Sequence, residues 1–437
     1  MGGRRDPRKL SQDFLVTAAP TYPGAAPVTP AVTVHVPVRG GAVVPAFTRA
    51  PALVRVPPTG PTTEAGLRVE VVTRLDQLTP LVGAWRTLVH ATPGATAFAS
   101  PAFVLTWYRH MERSAGVHAV TVWRGDQLVG MAPFARTTLG GNRNGFLLLV
   151  TAGTEHGDHG EPLLGPDPAP VAAAITGHLT ELLHHRSAAV NARRLVDEGP
   201  MITALGERDD LVRVPMGQVA HAAVVRFDRL DDPYDYLDRL ARRHGIPRRM
   251  RRLAEERGPV TYVPAVPGAA GRDAALDAMA SMLLRRWGPE AGPRLFATPG
   301  RAAFTRAVTH ALANDRMGRV SALTVAGRPA AVSTVLQVGN RLVSDSAGFD
   351  VDLCRYGVGQ AELYALLRHA LESGAVEVDM RAGDFPYKRK WTNAERRTRS
   401  VVLVAPGRRG EMALAARGAA LRLRARRLRR LERRGPL

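Results

Sequence analysis

The sequence contains 437 residues, carries a formal net charge of +21 at pH 7 and has one cysteine, Cys354. This length predicts two or three domains. A single cysteine excludes an intrachain disulfide, and no cysteine and histidine cluster has the spacing of a metal site, so we expect no bound metal. The basic charge favours acidic partners such as nucleic acid, anionic lipid or phosphorylated ligands.

Lysine is the rare basic residue of this chain. Only Lys9, Lys388 and Lys390 are lysines, and every other basic residue that enters the net charge is an arginine. We attribute the arginine excess to codon bias in a GC-rich genome. The two clustered lysines therefore stand out as a feature that the bias does not explain.

Residues 1–66 are rich in Pro, Ala, Val, Thr and Gly. Proline lacks the backbone N–H and clashes with a preceding helical turn, so we predict a disordered leader. No apolar run approaches the ~20 residues that span a bilayer. No apolar segment of signal-peptide type follows the first residues. We therefore expect a cytoplasmic protein.

Residues 67–217 are predicted to form a first α/β domain. The alternation of apolar and polar residues predicts strands, and apolar stripes at helical spacing predict helices. Ser100 and Pro101 are typical of a helix start, and Gly125 with Asp126 predicts a tight hairpin turn. The predicted elements, in chain order, are strand 68–73, helices 78–91 and 99–111, strands 118–124, 127–137 and 145–153, helix 170–183 and strand 193–198.

Residues 218–407 are predicted to form a second domain of the same order. Both units contain paired helices, a three-stranded meander, a helix and a strand, which indicates two mixed α/β domains in tandem with mostly antiparallel sheets. The predicted elements are strand 222–228, helices 233–243 and 247–257, strand 260–264, helices 273–287 and 301–313, strands 319–327, 330–339 and 341–349, helix 357–373, and strands 376–380 and 400–405.

The last segment, residues 408–437, is predicted to be a basic amphipathic helix. It contains eleven arginines and two glutamates between residues 408 and 434, and Leu414, Leu421 and Leu428 recur every seven residues. Such a helix lies on an anionic membrane, packs on the body of the protein, contacts RNA or remains a solvated tail. The sequence leaves these alternatives open.

A first candidate site precedes the helix at 357–373. Two glycines permit close backbone approach, and the N-terminus of a helix carries unpaired N–H groups and partial positive charge. Such an end suits the pyrophosphate of coenzyme A, although a plain loop has the same sequence pattern. The predicted cofactor-binding residues are Arg355, Gly357, Val358, Gly359 and Gln360.

The second candidate is the segment DMRAGDFPYKRKW at 379–391. It combines charge at a strand end, a glycine, aromatic residues and two lysines. Lysine presents a compact ammonium that does not replace a guanidinium freely, so Lys388 and Lys390 indicate a specific need. In the alternative interpretation, Lys388 pairs with Asp379 or Asp384 and braces the fold.

Two further segments carry charged or titratable side chains. Eight arginines at 239–257 suit the phosphates of a nucleotide-linked substrate or of tRNA, or they form a solvated face partly paired with Glu255 and Glu256. His156 and Asp158 lie in a glycine-rich loop, GTEHGDHGEP, that suits substrate contact better than metal binding. We expect no DNA partner.

Several of these segments resemble a known family. DMRAGDFPYKRKW resembles the closing D-F-x-x-G-x-x-x-Y-K-x-x-W motif of the CelD/BcsL-type (BioF-like) acetyltransferase domain. WRTLVHATPGATAFASPAFVLTWYRH and RGDQLVGMAPF are similar to its opening segments. The resemblance covers residues 67–406. It implies a tandem GNAT fold akin to FemAB-type aminoacyl ligases, with acetyl-CoA or another acyl-CoA as co-substrate.

The resemblance implies transfer of an acyl group to an amine, or to a hydroxyl, of a small-molecule or glycan-precursor acceptor in polysaccharide, cell-envelope or secondary metabolism. We expect Asp384 or Asp345 to act as the base, Tyr387 to protonate the thiolate and Lys388 to anchor a carboxylate or phosphate of the acceptor. The expected substrate contacts are Trp391, Asp379, His156 and Asp158.

Two other functions remain open at this point. The arginines at 239–257 suit an aminoacyl-tRNA-dependent transferase, which we do not favour. The basic segment 410–434 suits a non-catalytic GNAT-like protein that is recruited to a membrane assembly, at the inner face of the membrane. The acceptor, the acyl chain and the oligomeric state do not follow from the sequence.

Overall fold

The computed structural model describes residues 66–112, 116–140, 145–291, 295–383 and 385–434. The predicted leader lies outside the described residues apart from Gly66, and so does Asp384. The described chain forms a mixed α/β fold built on one sheet of thirteen strands. The predicted fold class is therefore confirmed.

The strands are hydrogen-bonded in the order β1-β2-β3-β4-β5-β13-β7-β12-β11-β10-β9-β8, and β6 also pairs with β13. Their bounds are β1 Leu67–Val72, β2 Val117–Arg124, β3 Gln127–Leu139, β4 Phe146–Thr151, β5 Ala188–Val196, β6 Val212–Pro215, β7 Ala220–Arg226, β8 Val260–Val263, β9 Gly318–Val325, β10 Arg328–Val338, β11 Arg341–Phe349, β12 Glu377–Ala382 and β13 Ala394–Val404.

Twelve α-helices accompany the sheet in the described residues, together with four short 3-10 helices and one short π-helix. The helices are α1 Leu75–Leu78, α2 Val82–Ala91, α3 Pro101–Trp107, α4 Pro168–His185, α5 Pro200–Gly206, α6 Pro233–Arg243, α7 Ile246–Arg257, α8 Ala269–Ala291, α9 Pro299–Asn314, α10 Val358–Glu372, α11 Pro386–Arg389 and α12 Gly407–Arg434.

The sheet contains two similar halves. In the first half, β1 to β4 are antiparallel and β5 is parallel to β4. In the second half, β8 to β11 are antiparallel and β12 is parallel to β11. Between the halves, β7 follows the first half in sequence but pairs with β12, and β13 follows the second half but pairs with β5. The exchanged strands join both halves into one hydrogen-bonded sheet.

Local sequence signals account for several helix starts. Ser100 precedes α3, its hydroxyl accepts a hydrogen bond from the N–H of Phe103, and Pro101 occupies the first helical position. Asp232 caps α6 in the same way, accepting from the N–H of Asp235. The predicted cap at Ser100 and Pro101 is confirmed. Sequence patterns missed the short elements α5, β6 and α11, because so few residues show no periodicity.

The halves also share a hydrophobic core. Trp85, Trp107 and Tyr108 of the first half are fully buried in a cluster that includes Phe304 and Leu312 of α9. Burying one such large side chain contributes about 1.5–3 kcal/mol, so this cluster is a substantial part of the contact between the halves.

The C-terminal helix α12 packs on the body of the protein. Ala413 and Ala420 are buried against β4, β5 and β13, and Arg424 is buried beside Glu155. Of the four alternatives for this segment, packing is therefore realised, and the opposite side of α12 carries exposed arginines. None of the described helices is long and apolar enough to cross a membrane.

Candidate functional site

A large cavity, about 890 Å³, lies where β11 and β12 part. These parallel strands pair from Arg341↔Glu377 to Val343↔Asp379 and then diverge. On its other side, β12 has a bulge between Asp379 and Ala382. The gap between the strands leaves backbone groups and side chains facing the cavity. Eight predicted site residues line it: Asp158, Asp345, Gly357, Val358, Gly359, Gln360, Tyr387 and Lys388.

One end of the cavity is the N-terminus of α10. Gly357 has φ +71°, a left-handed conformation that favours glycine, and it precedes Val358 and Gly359, whose N–H groups have no carbonyl partner within the helix. The guanidinium of Arg249 lies so close that a Cβ at Gly357 would be 2.8 Å from its Nη1. Arg286 also lines the cavity. This end therefore suits phosphate groups.

Arg355 takes a different position from the one that the sequence predicts. Its guanidinium forms an ion pair with Glu256, 3.1 Å away, and stacks on the ring of Tyr356. It does not line the cavity, whereas Arg249 does. Arg249 belongs to the stretch 239–257, whose arginines the sequence analysis offered as phosphate contacts, and the phosphate role of Arg355 stays a prediction.

Lys388 braces the end of β12. Its Nζ donates hydrogen bonds to the carbonyl oxygens of Arg381 at 3.0 Å and Ala382 at 3.1 Å. Burial lowers the pKa of Lys388 to about 8, against the opposing effect of nearby Asp158. The alternative interpretation of the sequence had Lys388 pair with Asp379 or Asp384, whereas these two hydrogen bonds go to backbone carbonyls. Tyr387 lies beside it in the cavity, and burial raises the pKa of its phenol.

Arg381 links the first half to the cavity of the second. Its Nε donates to Asp158 at 2.9 Å, and its Nη1 donates to Asp345 at 2.8 Å. The backbone of Arg381 has φ +64°, which is strained for an L-residue, and the surrounding hydrogen bonds hold it there. Because the arginine charge lies beside it, the pKa of Asp158 stays below its usual value despite burial.

Asp379 lies behind this site, not in it. Its carboxylate is fully buried, accepts from the N–H of Arg381 at 2.7 Å and pairs with Arg396 at 2.5 Å and His159 at 3.3 Å. Burial would raise its pKa, but His159 and Arg396 lower it to about 2. The residue is a permanently ionised anchor for the strand end.

Two predicted contact residues occupy the surroundings of the cavity. Trp391 is fully buried, and its Nε1 donates to Oε1 of Gln360 at 2.9 Å, which orients that cavity residue. His156 packs edge-on against Phe304 and lines a separate cavity of about 30 Å³ between the halves. Burial lowers the pKa of His156 to about 4. Their assignment as substrate contacts stays a prediction.

Glu362 is a cavity residue that the sequence analysis missed. It is 3% exposed, lines the cavity from α10 and accepts a hydrogen bond from the Ser321 hydroxyl at 3.1 Å. Burial raises its pKa to about 7. A glutamate within an apolar helix stripe is the only signal in the sequence that points to it. No group of three or more His, Cys, Asp and Glu side chains in the described chain is placed to hold a metal ion.

The fold of this chain resembles that of a solved structure. No curated protein matches the sequence. The structure is similar to that of FemX, with a TM-score of 0.52 and 10% identity over 74% of this chain and 96% of FemX. A tandem GNAT protein from the clavulanic acid biosynthesis pathway has a TM-score of 0.37 and 16% identity, over 78% of this chain and 100% of that protein. The C-terminal domain of a putative lysylphosphatidylglycerol synthetase from Agrobacterium fabrum has a TM-score of 0.44 and 12% identity, over 78% of this chain and 96% of that domain.

The family comparison falls on the cavity itself. Residues 241–389 match the model of the acetyltransferase (GNAT) domain, and this range runs from α6 to α11. It includes Arg249, the Gly357 end of α10 and Lys388. The fold is therefore similar to that of FemX, and residues 241–389 of the second half are similar to the acetyltransferase (GNAT) domain.

Proposed function

We propose that the protein is an acyltransferase that moves an acyl group from acetyl-CoA or another acyl-CoA to an amine, or to a hydroxyl, of a small-molecule or glycan-precursor acceptor. The observation that carries this proposal is the large cavity between the parting strands β11 and β12, closed at one end by the N-terminus of α10. On the motif at 379–391, we propose further that the protein is related to the CelD/BcsL-type acetyltransferases.

The phosphate end of the cavity supports the choice of donor. Unpaired N–H groups at Val358 and Gly359 point out of the helix start, and Arg249 and Arg286 add two positive charges. A pyrophosphate is bound well by such an arrangement, because hydrogen bonds to ionised oxygens are short and strong. We propose that Arg249 takes the phosphate role that the sequence assigned to Arg355.

The other end supports the chemistry. Acyl transfer from a thioester needs the two reactants held together, which supplies ~7–11 kcal/mol of the barrier through orientation alone. It also needs a proton donor for the departing thiolate, and we propose Tyr387. Lys388, held at the strand end, would anchor an anionic group of the acceptor. Asp345 is engaged by Arg381, so it positions groups better than it takes up protons.

Donor binding gives the direct test. Acetyl-CoA should stabilise the protein against heat by mass action, in a concentration-dependent manner. Tyr387→Phe and Lys388→Ala should keep donor binding but lower the rate of coenzyme A release with the true acceptor. Full rates in both variants would remove these assignments, and no stabilisation by any acyl-CoA would remove the proposed donor.

An aminoacyl-tRNA-dependent transferase is the second candidate, and one observation favours it. Arg243, Arg248, Arg251 and Arg257 are exposed on α6 and α7 and have no ion-pair partner among the described residues, and α7 also carries the cavity residue Arg249. A polyanionic donor longer than coenzyme A would use this surface. Steep salt dependence of tRNA binding supports this candidate, and no binding at low salt excludes it.

The outer side of α12 suggests a location. Its exposed arginines suit an anionic membrane surface, so we propose peripheral contact with the inner face of a membrane. In the extreme case, the protein is a non-catalytic member of a membrane assembly. Donor binding without any turnover by the wild-type protein would favour that reading over an enzyme.

A further inference from the structure

Glu362 differs from the other carboxyl groups that line the cavity of about 890 Å³, which we call the donor cavity after its proposed ligand. Asp158 and Asp345 are both paired with Arg381, whereas Glu362 accepts a hydrogen bond from the Ser321 hydroxyl. No cation pairs with Glu362 within the described parts of the chain. A buried carboxyl without a counter-ion holds a proton far more readily than a paired one.

The Ser321 hydroxyl, on β9, donates a hydrogen bond to Oε1 of Glu362 at 3.1 Å. Tyr262 interacts electrostatically with both residues, and it lines a second cavity of about 300 Å³ to which Ala361 and Ala365 of α10 contribute. Glu362 itself lines the donor cavity.

The groups that face Glu362 fix its preferred state. The Ser321 hydroxyl on β9 favours the ionised form, while burial opposes it more strongly. Burial raises the pKa of Tyr262 and of Tyr387, and the charge of Glu362 adds to both shifts. The facing groups are Tyr262 on β8, Ser321 on β9, Ser333 on β10 and Tyr387 on α11.

We propose that Glu362 is the proton-accepting group of the donor cavity, which takes up the proton that an amine acceptor loses when it attacks the thioester. This proposal rests on the proposed function. Glu362 was not among the bases expected from the sequence. A general base needs a pKa near the working pH, because a much weaker base would not hold the proton, and the carboxyl of Glu362 meets this need.

The step balances within the cavity. The acceptor nitrogen forms a bond to the acyl carbon, the carbon–sulfur bond breaks, and the nitrogen gives one proton to Glu362. Tyr387 protonates the departing thiolate. Glu362 then returns its proton to Tyr387, whose phenol lines the same cavity. The products are an amide and coenzyme A, and the protein ends in its starting state.

Infrared titration of the protein alone is the first test. At pH 6, Glu362 should contribute to a protonated carboxyl band that disappears with a midpoint near pH 7, and so should Glu161, whose pKa burial also raises to about 7. In a Glu161→Gln background, Glu362→Gln should lack the band, and Glu372→Gln on the same helix should keep it. Ser321→Ala should move the midpoint upward, because it removes a donor to the ionised form. A band unchanged in Glu362→Gln overturns the proposal.

Calorimetry with acetyl-CoA is the second test. An anionic donor raises the proton affinity of a carboxylate in the same cavity, so binding at pH 7 should take up protons in the wild type and lose that uptake in Glu362→Gln. If acetyl-CoA does not bind, the proposed function fails, and the infrared titration alone tests whether Glu362 takes up a proton near neutral pH. If it binds with equal uptake in both proteins, Glu362 does not serve the donor cavity.

Hydroxylamine provides a kinetic probe as a simple amine acceptor. Release of coenzyme A thiol from acetyl-CoA should rise through pH 7 in the wild type and lose that rise in Glu362→Gln. An identical profile in both proteins contradicts the proposed role. The infrared and calorimetric results decide the proposal whether or not hydroxylamine is turned over.

Discussion

The two halves have the same strand order but differ in the geometry of their parallel strand pair. In the first half, β4 and β5 pair from Leu147↔Ala188 to Val150↔Asn191, and the cavity beside Thr151 and Ala192 at their ends has a volume of about 10 Å³. In the second half, β11 and β12 part after three pairs, and the gap is about 890 Å³. Equal topology therefore does not give equal sites.

The loops after the two corresponding strands show why. After β11, the chain reaches Gly357 within a few residues and starts α10 at the cavity. After β4, a long loop at 152–167 leaves the first half, and Asp158 and His159 contact Arg381 and Asp379 of the second half. The second half forms the cavity of about 890 Å³, and the first half supplies part of its wall through Asp158.

The largest expected effect comes from breaking that contact. Arg381→Met leaves Asp158 and Asp345 without their cation in a buried site, so we expect the free energy of unfolding to fall by about 3–5 kcal/mol. Urea denaturation measures it. Arg355→Met, which removes an exposed ion pair, should cost at most about 1 kcal/mol. Equal losses would show that the halves do not depend on Arg381.

Donor affinity tests whether only the second half binds phosphate. Arg249→Ala removes one charge-assisted contact at the start of α10, so acetyl-CoA should bind about tenfold more weakly by calorimetry. Arg136→Ala, on β3 of the first half, serves as the control and should leave affinity unchanged. A tenfold loss in the control and none in Arg249→Ala would reverse the roles of the halves.

The pH dependence of stability sharpens the role of the first-half loop. The folded-state pKa of His156 is about 4, below its ordinary value of 6.5, so its contribution is present above pH 6.5 and is lost as pH falls toward 4. Between pH 7 and pH 5, the free energy of unfolding should fall by roughly 1–2 kcal/mol less in His156→Phe than in the wild type. Urea denaturation at both pH values measures it.

The exposed His90 provides the matched control for that experiment. His90→Phe should leave the loss of stability between pH 7 and pH 5 as it is in the wild type. If His156→Phe loses as much stability as the wild type, His156 is already protonated in the folded protein, and the loop is less firmly buried than the geometry indicates.

The smallest expected effect concerns α12, which packs on the first half. Arg422, Arg426, Arg429, Arg430 and Arg433 are exposed and have no ion-pair partner among the described residues. Arg429→Ser should weaken sedimentation with phosphatidylserine vesicles by about 1 kcal/mol, or about fivefold, at low salt. Arg328→Ser on the β9–β10 turn is the control. Equal binding to neutral vesicles would exclude an electrostatic membrane contact.

Much of this fold was predictable because its signals are local. The meanders, the start of α3 and the glycine turn at Gly125 depend on residues close in sequence, and the structure contains them. The exchange of β7 and β13 was not predictable, since strand pairing across a sheet depends on contacts between distant residues. The domain boundary between residues 217 and 218 stays a prediction, because β13 pairs with strands from both sides of it.

For the site, the sequence by itself determined the start of α10 and the segment around Lys388, because a glycine pair before a helix and two rare lysines are visible without contacts. Only the tertiary structure decided which charges face the cavity. It placed Arg249 and Glu362 in its wall, turned Arg355 toward Glu256 and buried Trp391. The physical reason is that the role of a charged side chain depends on its burial and on its partner, and both are properties of the packed chain.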